Sequence, residues 1–268
     1  MNRIDKKFKE LKRENRKAFI AYVTCGAPDI DTSKKIVKIL VESGVDLIEL
    51  GMPFSDPLAD GPTIQEASEE ALKNKVTLKK LLFLAKDLRK TIDLPFVIMS
   101  YYNPIFHYGI RTFLADVKKS GVDGLIIPDL PPEEASQMEM FARSKQLATI
   151  YFISPTSTDK RIKNTIKHSG GFIYYLSLTG VTGARKTLPD KIKKDIKKIK
   201  ELTKKPVCVG FGISNVKQVK DICKIADGVI VGSAIINRIR QAKSKDKMLK
   251  SVKSFVSRLT KAAHRHKS

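Results

Sequence analysis

Residues 47–61 read Leu-Ile-Glu-Leu-Gly-Met-Pro-Phe-Ser-Asp-Pro-Leu-Ala-Asp-Gly. The stretch opens with five residues that are apolar except for Glu49, then breaks into a loop of Pro, Asp and Gly. The same design recurs along the chain. Apolar, β-branched runs occupy Ala18–Thr24, Leu47–Gly51, 96–100, 124–128, 148–153, 172–177, 207–211 and Gly228–Val231. They are short and apolar on both alternating faces, as parallel strands covered on both sides are. Between them the period changes to that of a helix. Leu78, Leu81, Leu82, Ala85 and Leu88 form one stripe, with Lys79, Lys80, Lys86 and Arg89 opposite. Ile192, Ile196 and Ile199 form another, and Val216, Val219, Ile222 and Cys223 a third. Alternation of strand and helix implies βαβ crossovers. Eight such units predict a single (β/α)8 TIM barrel with an extra N-terminal helix; an open doubly wound sheet is the alternative. No composition shift marks a domain boundary, so one domain is expected over 1–268, with a basic tail that frays from about residue 261.

The 268 residues suit one barrel, and 42% hydrophobic content supplies its core. No apolar run reaches the ~18 residues of a membrane helix. The charged first 17 residues lack the apolar stretch of a signal peptide, so the cytoplasm is expected. The three cysteines show no metal-like spacing, their odd number in a chain without an export signal argues against a disulfide framework, and Cys208 and Cys223 read as core residues. His107 and His168 are isolated and read as surface or loop residues; His264 and His266 lie in the tail, and no zinc-type ligand set is evident. The formal charge of +23 raises the possibility of a nucleic-acid binder. However, the lysines are dispersed and no aromatic residues are interleaved with them. A lysine-rich solvated surface that favours anionic substrates is the better reading.

In a barrel, chemistry sits at the C-terminal ends of the strands. Glu49 is embedded in an apolar strand, where desolvation raises a carboxyl pKa toward the range of a proton donor. A structural carboxylate, paired with a lysine or capping backbone N–H groups, is the alternative. The loop that follows carries Asp56 and Asp60 back over the same mouth. After the sixth strand, the glycines and hydroxyls of residues 177–185 suit a lid. Gly210-Phe211-Gly212-Ile213-Ser214 and Gly232-Ser233-Ala234 end the last two strands, with Ser214 and Ser233 expected as helix N-caps. Such turns let a phosphate approach exposed N–H groups.

Several of these stretches resemble the tryptophan synthase alpha chain family: LIELGMPFSDPLADG (47–61), AYVTCGAPD (21–29), YYNPIF (101–106), IIPDLPPEE (126–134), TGVTGAR (179–185), GFGIS (210–214) and GSAI (232–235). They occur in family order and span nearly the whole chain. The resemblance implies retro-aldol cleavage of indole-3-glycerol phosphate to indole and glyceraldehyde 3-phosphate. It places Glu49 as the acid that protonates indole C3, and Asp60 as the anion that stabilises charge on the indole nitrogen. It places Tyr22, Ile64, Met99, Ile126, Tyr174 and Thr182 in the substrate pocket. Gly183, Gly212, Gly232 and Ser233 match the phosphate cradle, while Asp56 and Asn103 fall on a partner-facing surface. It implies no cofactor in this chain and an α₂β₂ complex with a beta subunit that carries pyridoxal phosphate. Leu178, where some members carry arginine, and Ser100 depart from the family pattern. Alternatives left open are another enzyme on a phosphate-binding barrel (an isomerase or indole-glycerol-phosphate synthase), a non-catalytic activator of the beta subunit, and a stand-alone lyase that releases indole.

Overall fold

The computed structural model describes residues 1–177, 189–210 and 212–265. Helix α1 (Arg3–Arg13) precedes strand β1 (Ala18–Thr24). Strand and helix then alternate through α2 (Ile30–Glu42), β2 (Leu47–Gly51), α3 (Pro62–Lys73), α4 (Leu78–Arg89), β3 (Phe96–Met99), α5 (Tyr102–Tyr108), α6 (Ile110–Lys119), β4 (Gly124–Ile126) and α7 (Ser136–Ser144). The second half runs through β5 (Ala148–Ile150), β6 (Phe152–Ile153), α8 (Asp159–His168), β7 (Ile173–Leu176), α9 (Asp190–Leu202), β8 (Val207–Gly210), α10 (Val216–Cys223), β9 (Gly228–Val231), α11 (Ser233–Arg240) and α12 (Lys245–His264).

Every strand pairing is parallel, in the order β5-β4-β3-β2-β1-β9-β8-β7-β6. The two outermost strands of this order, β5 and β6, are halves of the run 148–153 and are separated only by Tyr151. The first half pairs with β4 and the second with β7. Tyr174 N donates to Tyr151 O across the break at 3.3 Å. The sheet is therefore closed on itself as a (β/α)8 barrel, and the open-sheet alternative falls.

Alternation along the strands separates two apolar layers. Ile20, Leu47, Val97, Ile126, Ile150, Tyr174, Cys208 and Ile230 fill the barrel interior. Their neighbours Phe19, Ile48, Ile98, Leu125, Tyr175, Val209 and Val229 lie beneath the helices. Both faces are apolar, so each strand reads as an unbroken hydrophobic run. Cys208 and Cys223 are both fully buried, as expected of core thiols. No helix of the described residues is long and apolar enough to cross a membrane.

Helix α1 closes the N-terminal end of the barrel. Asn2 caps it, its side chain accepting from Ile4 N at 2.9 Å and donating to Asp123 O at 2.6 Å. Ile4, Phe8 and Leu11 enter the interior cluster, and the Phe8 ring lies 5.7 Å from that of Phe172.

At the same end three aspartates repeat one device that the sequence reading missed. Asp46 accepts from Phe19 N at 2.8 Å, Asp123 from Phe96 N at 3.0 Å and Asp227 from Val207 N at 3.0 Å. Each aspartate lies just before a strand and ties down a backbone N–H at the start of the neighbouring strand. The visible signal was the repeated Ser-Gly-Val-Asp at 43–46 and 120–123.

Two expectations change here. The tail expected to fray from about residue 261 is helical through His264, because Ala262 and Ala263 are buried and His264 Nε2 lies 2.8 Å from Asp46 Oδ2; His266 lies outside the described residues. His168, expected as an isolated surface or loop residue, ends α8 partly exposed and is not isolated, since it pairs with the buried Glu139 at 2.8 Å, while His107 is exposed on α5.

Candidate active site

The upper interior layer of the barrel departs from the apolar rule at one strand. Glu49 faces inward from β2, in register with Tyr22 on β1 and Val97 on β3. It is 1% exposed, and neither carboxylate oxygen has a hydrogen-bond partner among the described residues. The structural alternatives for this group, a lysine partner or a backbone cap, are therefore both absent from the described residues. Burial, and then the charge of Asp60, push its pKa from 4.5 up to about 8. Such a group holds its proton at neutral pH.

Asp60 approaches from the loop after β2 and is half-buried. Burial raises its pKa to about 6, opposed by a hydrogen bond from Tyr101 Oη at 3.2 Å. The same Tyr101 oxygen accepts from Ala59 N at 3.0 Å, and its ring stacks on Phe54 at 5.0 Å. At pH 7 the two carboxyls divide into one acid and one anion because their environments differ.

Both groups line one cavity, whose empty space together with its open mouth amounts to about 610 Å³. Tyr22, Ile64, Met99, Tyr174, Gly212, Gly232 and Ser233 line it as well. Ile126 is not among the lining residues; it is the last residue of β4 and packs in the interior apolar cluster beside Met99. Thr182 and Gly183, with Leu178, lie outside the described residues. The sequence reading missed Ala59, Phe152, Leu176, Ile213 and Ile230 as lining residues. Inward alternation from Tyr174 points to Leu176 and was the available signal; Phe152 meets Tyr174 edge-on at 4.8 Å. Burial, with the nearby Glu49 and Asp60 carboxyls, holds the Tyr22 and Tyr174 phenols well above their usual pKa, so both remain neutral hydrogen-bonding groups.

Glycines make room for the two tyrosines. A Cβ on Gly51 would lie 2.2 Å from Tyr22 Oη, and one on Gly210 would lie 2.6 Å from the Tyr174 ring. We expect Gly51→Ala to displace Tyr22 into the cavity, costing about 1–3 kcal/mol of stability as an overpacked site does. Thermal unfolding and steady-state kinetics check this: turnover should fall at least ~10-fold for a ring displaced within a site that depends on exact positioning, and wild-type values for both would refute it.

The two glycine turns differ. Helix α10 is capped by Asn215, not by Ser214: Asn215 Oδ1 accepts from Gln218 N at 3.0 Å, and the Gln218 side chain accepts from Ser214 N at 2.8 Å. That end is closed on itself. Helix α11 begins with Ser233 as its first helical residue, and Gly232 is an N-cap without a side-chain hydrogen bond. Its first intrahelical bonds run from Ile235 N and Ile236 N to Gly232 O. The N–H groups of Ser233 and Ala234 thus have no intrahelical acceptor, at a helix end whose Gly232 and Ser233 line the cavity. This is the end suited to an anion. Gly212, at φ +74°, adopts a turn conformation that a side chain would strain.

Asp56 and Asn103 are exposed beside the mouth, with Asp56 accepting from Ser55 Oγ at 2.6 Å. Neither lines the cavity. Among the described residues there is no cluster of three or more His, Cys, Asp or Glu able to hold a metal ion.

Comparison with known proteins accords with this geometry. A family model described as tryptophan synthase alpha chain matches residues 8–264. The chain is 47% identical over 259 residues to the tryptophan synthase alpha chain of Thermoanaerobacter sp., covering 97% of this chain and 98% of the relative. It is 45% identical over 259 residues to that of Geotalea uraniireducens, covering 97% of each. Among solved structures it resembles tryptophan synthase subunit alpha of Legionella pneumophila with a TM-score of 0.92, 37% identity and 98% coverage of both chains. It also resembles a chain of M. tuberculosis tryptophan synthase in its aminoacrylate-bound form, with a TM-score of 0.89, 32% identity, and coverage of 98% of this chain and 100% of that one.

Proposed function

The chain belongs to the tryptophan synthase alpha chain family, and from that membership we propose how its own residues carry out the alpha reaction. The reaction is a lyase step of tryptophan biosynthesis: indole-3-glycerol phosphate is cleaved to indole and glyceraldehyde 3-phosphate. Glu49 donates its proton to indole C3. Asp60, as a carboxylate, stabilises the positive charge that protonation leaves on the ring and its nitrogen. The side-chain hydroxyl next to C3 then loses its proton, for which the Glu49 carboxylate is available as base. That carbon becomes the aldehyde of glyceraldehyde 3-phosphate, and the electrons of the broken carbon–carbon bond return to the ring to leave indole.

The single observation that carries this reading is the state of Glu49, a fully buried carboxyl with no hydrogen-bond partner among the described residues. Such a group is costly to bury, and its burial accounts for the raised proton affinity that the step requires. Tyr22, Ile64, Met99 and Tyr174 flank the indole ring, joined by Phe152 and Leu176; Ile126 packs beside Met99 in the same apolar cluster. Gly212, Gly232 and Ser233 receive the phosphate at the open end of α11, and Thr182 and Gly183 complete the lid and cradle.

Asp56 and Asn103 belong to the surface that meets a beta subunit, in an α₂β₂ assembly. Pyridoxal phosphate resides in that partner, and this chain needs no cofactor of its own. The cytoplasm is the compartment proposed for both.

The test is indole release from indole-3-glycerol phosphate by the purified chain, with and without a beta subunit, across pH. We expect a bell-shaped dependence of kcat/KM. The acid limb lies near pH 6, where Asp60 loses its charge, and the alkaline limb near pH 8, where Glu49 loses its proton. No release with the beta subunit present, or a rate that still climbs at pH 9, would overturn the assignment.

A further inference from the structure

The cavity that holds the two carboxyls also holds a hydroxyl to which the alpha reaction has so far given no part. Tyr22 lines the cavity and is 5% exposed. Among the described residues its side chain makes one hydrogen bond, and it is the acceptor: Thr24 Oγ1 donates to Tyr22 Oη at 3.4 Å. The phenol's own proton has no acceptor among these residues. A buried phenol normally gives that proton to a partner. Two acceptors are close by, and neither takes it. Glu49, opposite Tyr22 in the pairing of β1 with β2, has both carboxylate oxygens unpartnered, and Asp60 receives its hydrogen bond from Tyr101. Burial first, then the charges of Asp60 and Glu49, hold the Tyr22 pKa well above its usual value, so the proton stays on the phenol at neutral pH.

The direction of the ring tells where that proton can go. Strand β1 lies between β9 and β2 in the sheet. A Cβ on Gly232, just after β9, would come within 3.1–3.4 Å of Tyr22 Cδ1, Cβ and Cγ, whereas one on Gly51, at the end of β2, would meet Oη and Cζ. The base of the side chain is thus beside the α11 end, and its hydroxyl is beside the strand that carries Glu49. These are the two ends assigned above to the phosphate and to indole C3. The glycerol carbons that join them run along the Tyr22 ring, and Oη lies at the C3 end of that path. We propose that Tyr22 Oη donates a hydrogen bond to the substrate oxygen on the carbon bonded to indole C3, the oxygen that becomes the aldehyde. The proposal rests on the lyase reading above and adds to it the group that holds the reacting hydroxyl. As the carbon–carbon bond breaks, that hydroxyl gives its proton to the Glu49 carboxylate, and negative charge develops on the oxygen until the C=O bond forms. A donor fixed in advance stabilises such a charge. Tyr22 transfers no proton and remains a phenol throughout. Thr24, 3% exposed, fixes it by donating to Oη, which turns the phenol proton away from Thr24.

The experiment compares wild type with Tyr22→Phe, each with the beta subunit present. It measures indole release from indole-3-glycerol phosphate across pH, and inhibition by 3-(indol-3-yl)propyl phosphate, the same skeleton without either hydroxyl. Phe keeps the ring beside Gly232 and removes only Oη. We expect kcat/KM to fall at least ~10-fold, with the loss mainly in kcat, as for a donor that acts on charge developing in the transition state. Affinity for the propyl phosphate should not weaken, because this analogue offers no oxygen to Tyr22; the same measurement verifies that the cavity is intact. The limbs of the pH profile, near pH 6 and pH 8, should stay in place, because the phenol does not titrate there. An unchanged kcat/KM overturns the proposal and leaves the lyase reading intact. Affinity for the propyl phosphate that falls as far as kcat/KM also overturns it, by reducing the hydroxyl to a matter of shape. A displaced alkaline limb overturns it too, since Tyr22 would then act on Glu49 and not on substrate. No indole release by wild type refutes the lyase reading, and the proposal with it.

Discussion

Glu49→Gln is expected to abolish most of the indole-releasing activity while making the protein more stable. The variant keeps the shape of the side chain and removes its proton-donating power. General acids contribute about 10²–10⁴-fold, so turnover should fall by at least ~100-fold. Stability should move the opposite way, for a reason that lies in the same burial. The folded-state pKa of Glu49 is raised from 4.5 to about 8. Between those pH values the native state holds a proton that the unfolded chain has released. Stability therefore decreases as pH rises through this window, by up to about 1.4 kcal/mol per unit from this group. Gln carries no ionisable proton and removes that slope. Thermal unfolding of both proteins at pH 6 and pH 8 gives the reading, with the variant's advantage larger at pH 8. Lost activity with an unchanged pH dependence of stability would show that Glu49 is ionised in the folded protein, and a variant with full activity would remove it from the chemistry.

Removal of residues 1–13 is expected to leave a chain that does not fold stably. Ile4, Phe8 and Leu11 fill the N-terminal mouth of the barrel and meet the interior cluster around Phe172. Burying three side chains of this kind is worth roughly 5–9 kcal/mol at 1.5–3 kcal/mol each. That approaches the whole stability of a typical protein, about 5–15 kcal/mol. Truncation also exposes the interior layer to water and leaves Asp123 without Arg3. The milder Phe8→Ala should cost about 3–5 kcal/mol. Urea unfolding monitored by circular dichroism decides: a truncated chain with a wild-type midpoint would reduce α1 to an ornament.

These two expectations draw on information of different kinds. Glu49 stood out in the sequence because one carboxylate interrupts an otherwise apolar five-residue strand, and desolvation of such a group follows from its neighbours alone. The barrel was legible for a related reason. Parallel strands covered on both faces must be apolar at every position, and helices on the outside must show a 3.6-residue stripe, so local composition reports the layers. The resemblance of motifs spread over nearly the whole chain then supplied Asp60, whose composition alone suggested only a solvated loop residue.

Other features depended on contacts between distant segments. Nothing in residues 148–153 announced that the strand breaks at Tyr151, because the break is where pairing passes from β4 to β7. Ile126 resembled a pocket residue, but it packs into the interior apolar cluster beside Met99, a contact between strands that no single strand encodes. Which glycine turn has free N–H groups turned on whether Gln218 reaches back to Ser214, a choice made by side-chain geometry. His264 looked like part of a loose tail until Asp46, 218 residues earlier, provided its partner. Periodicity and burial cost are local and additive, so the sequence by itself determined the layers, the alternation of strand and helix, and the carboxyl that interrupts an apolar strand. Closure, depth and end-capping depend on where residues far apart in the chain meet, and those only the tertiary structure decided.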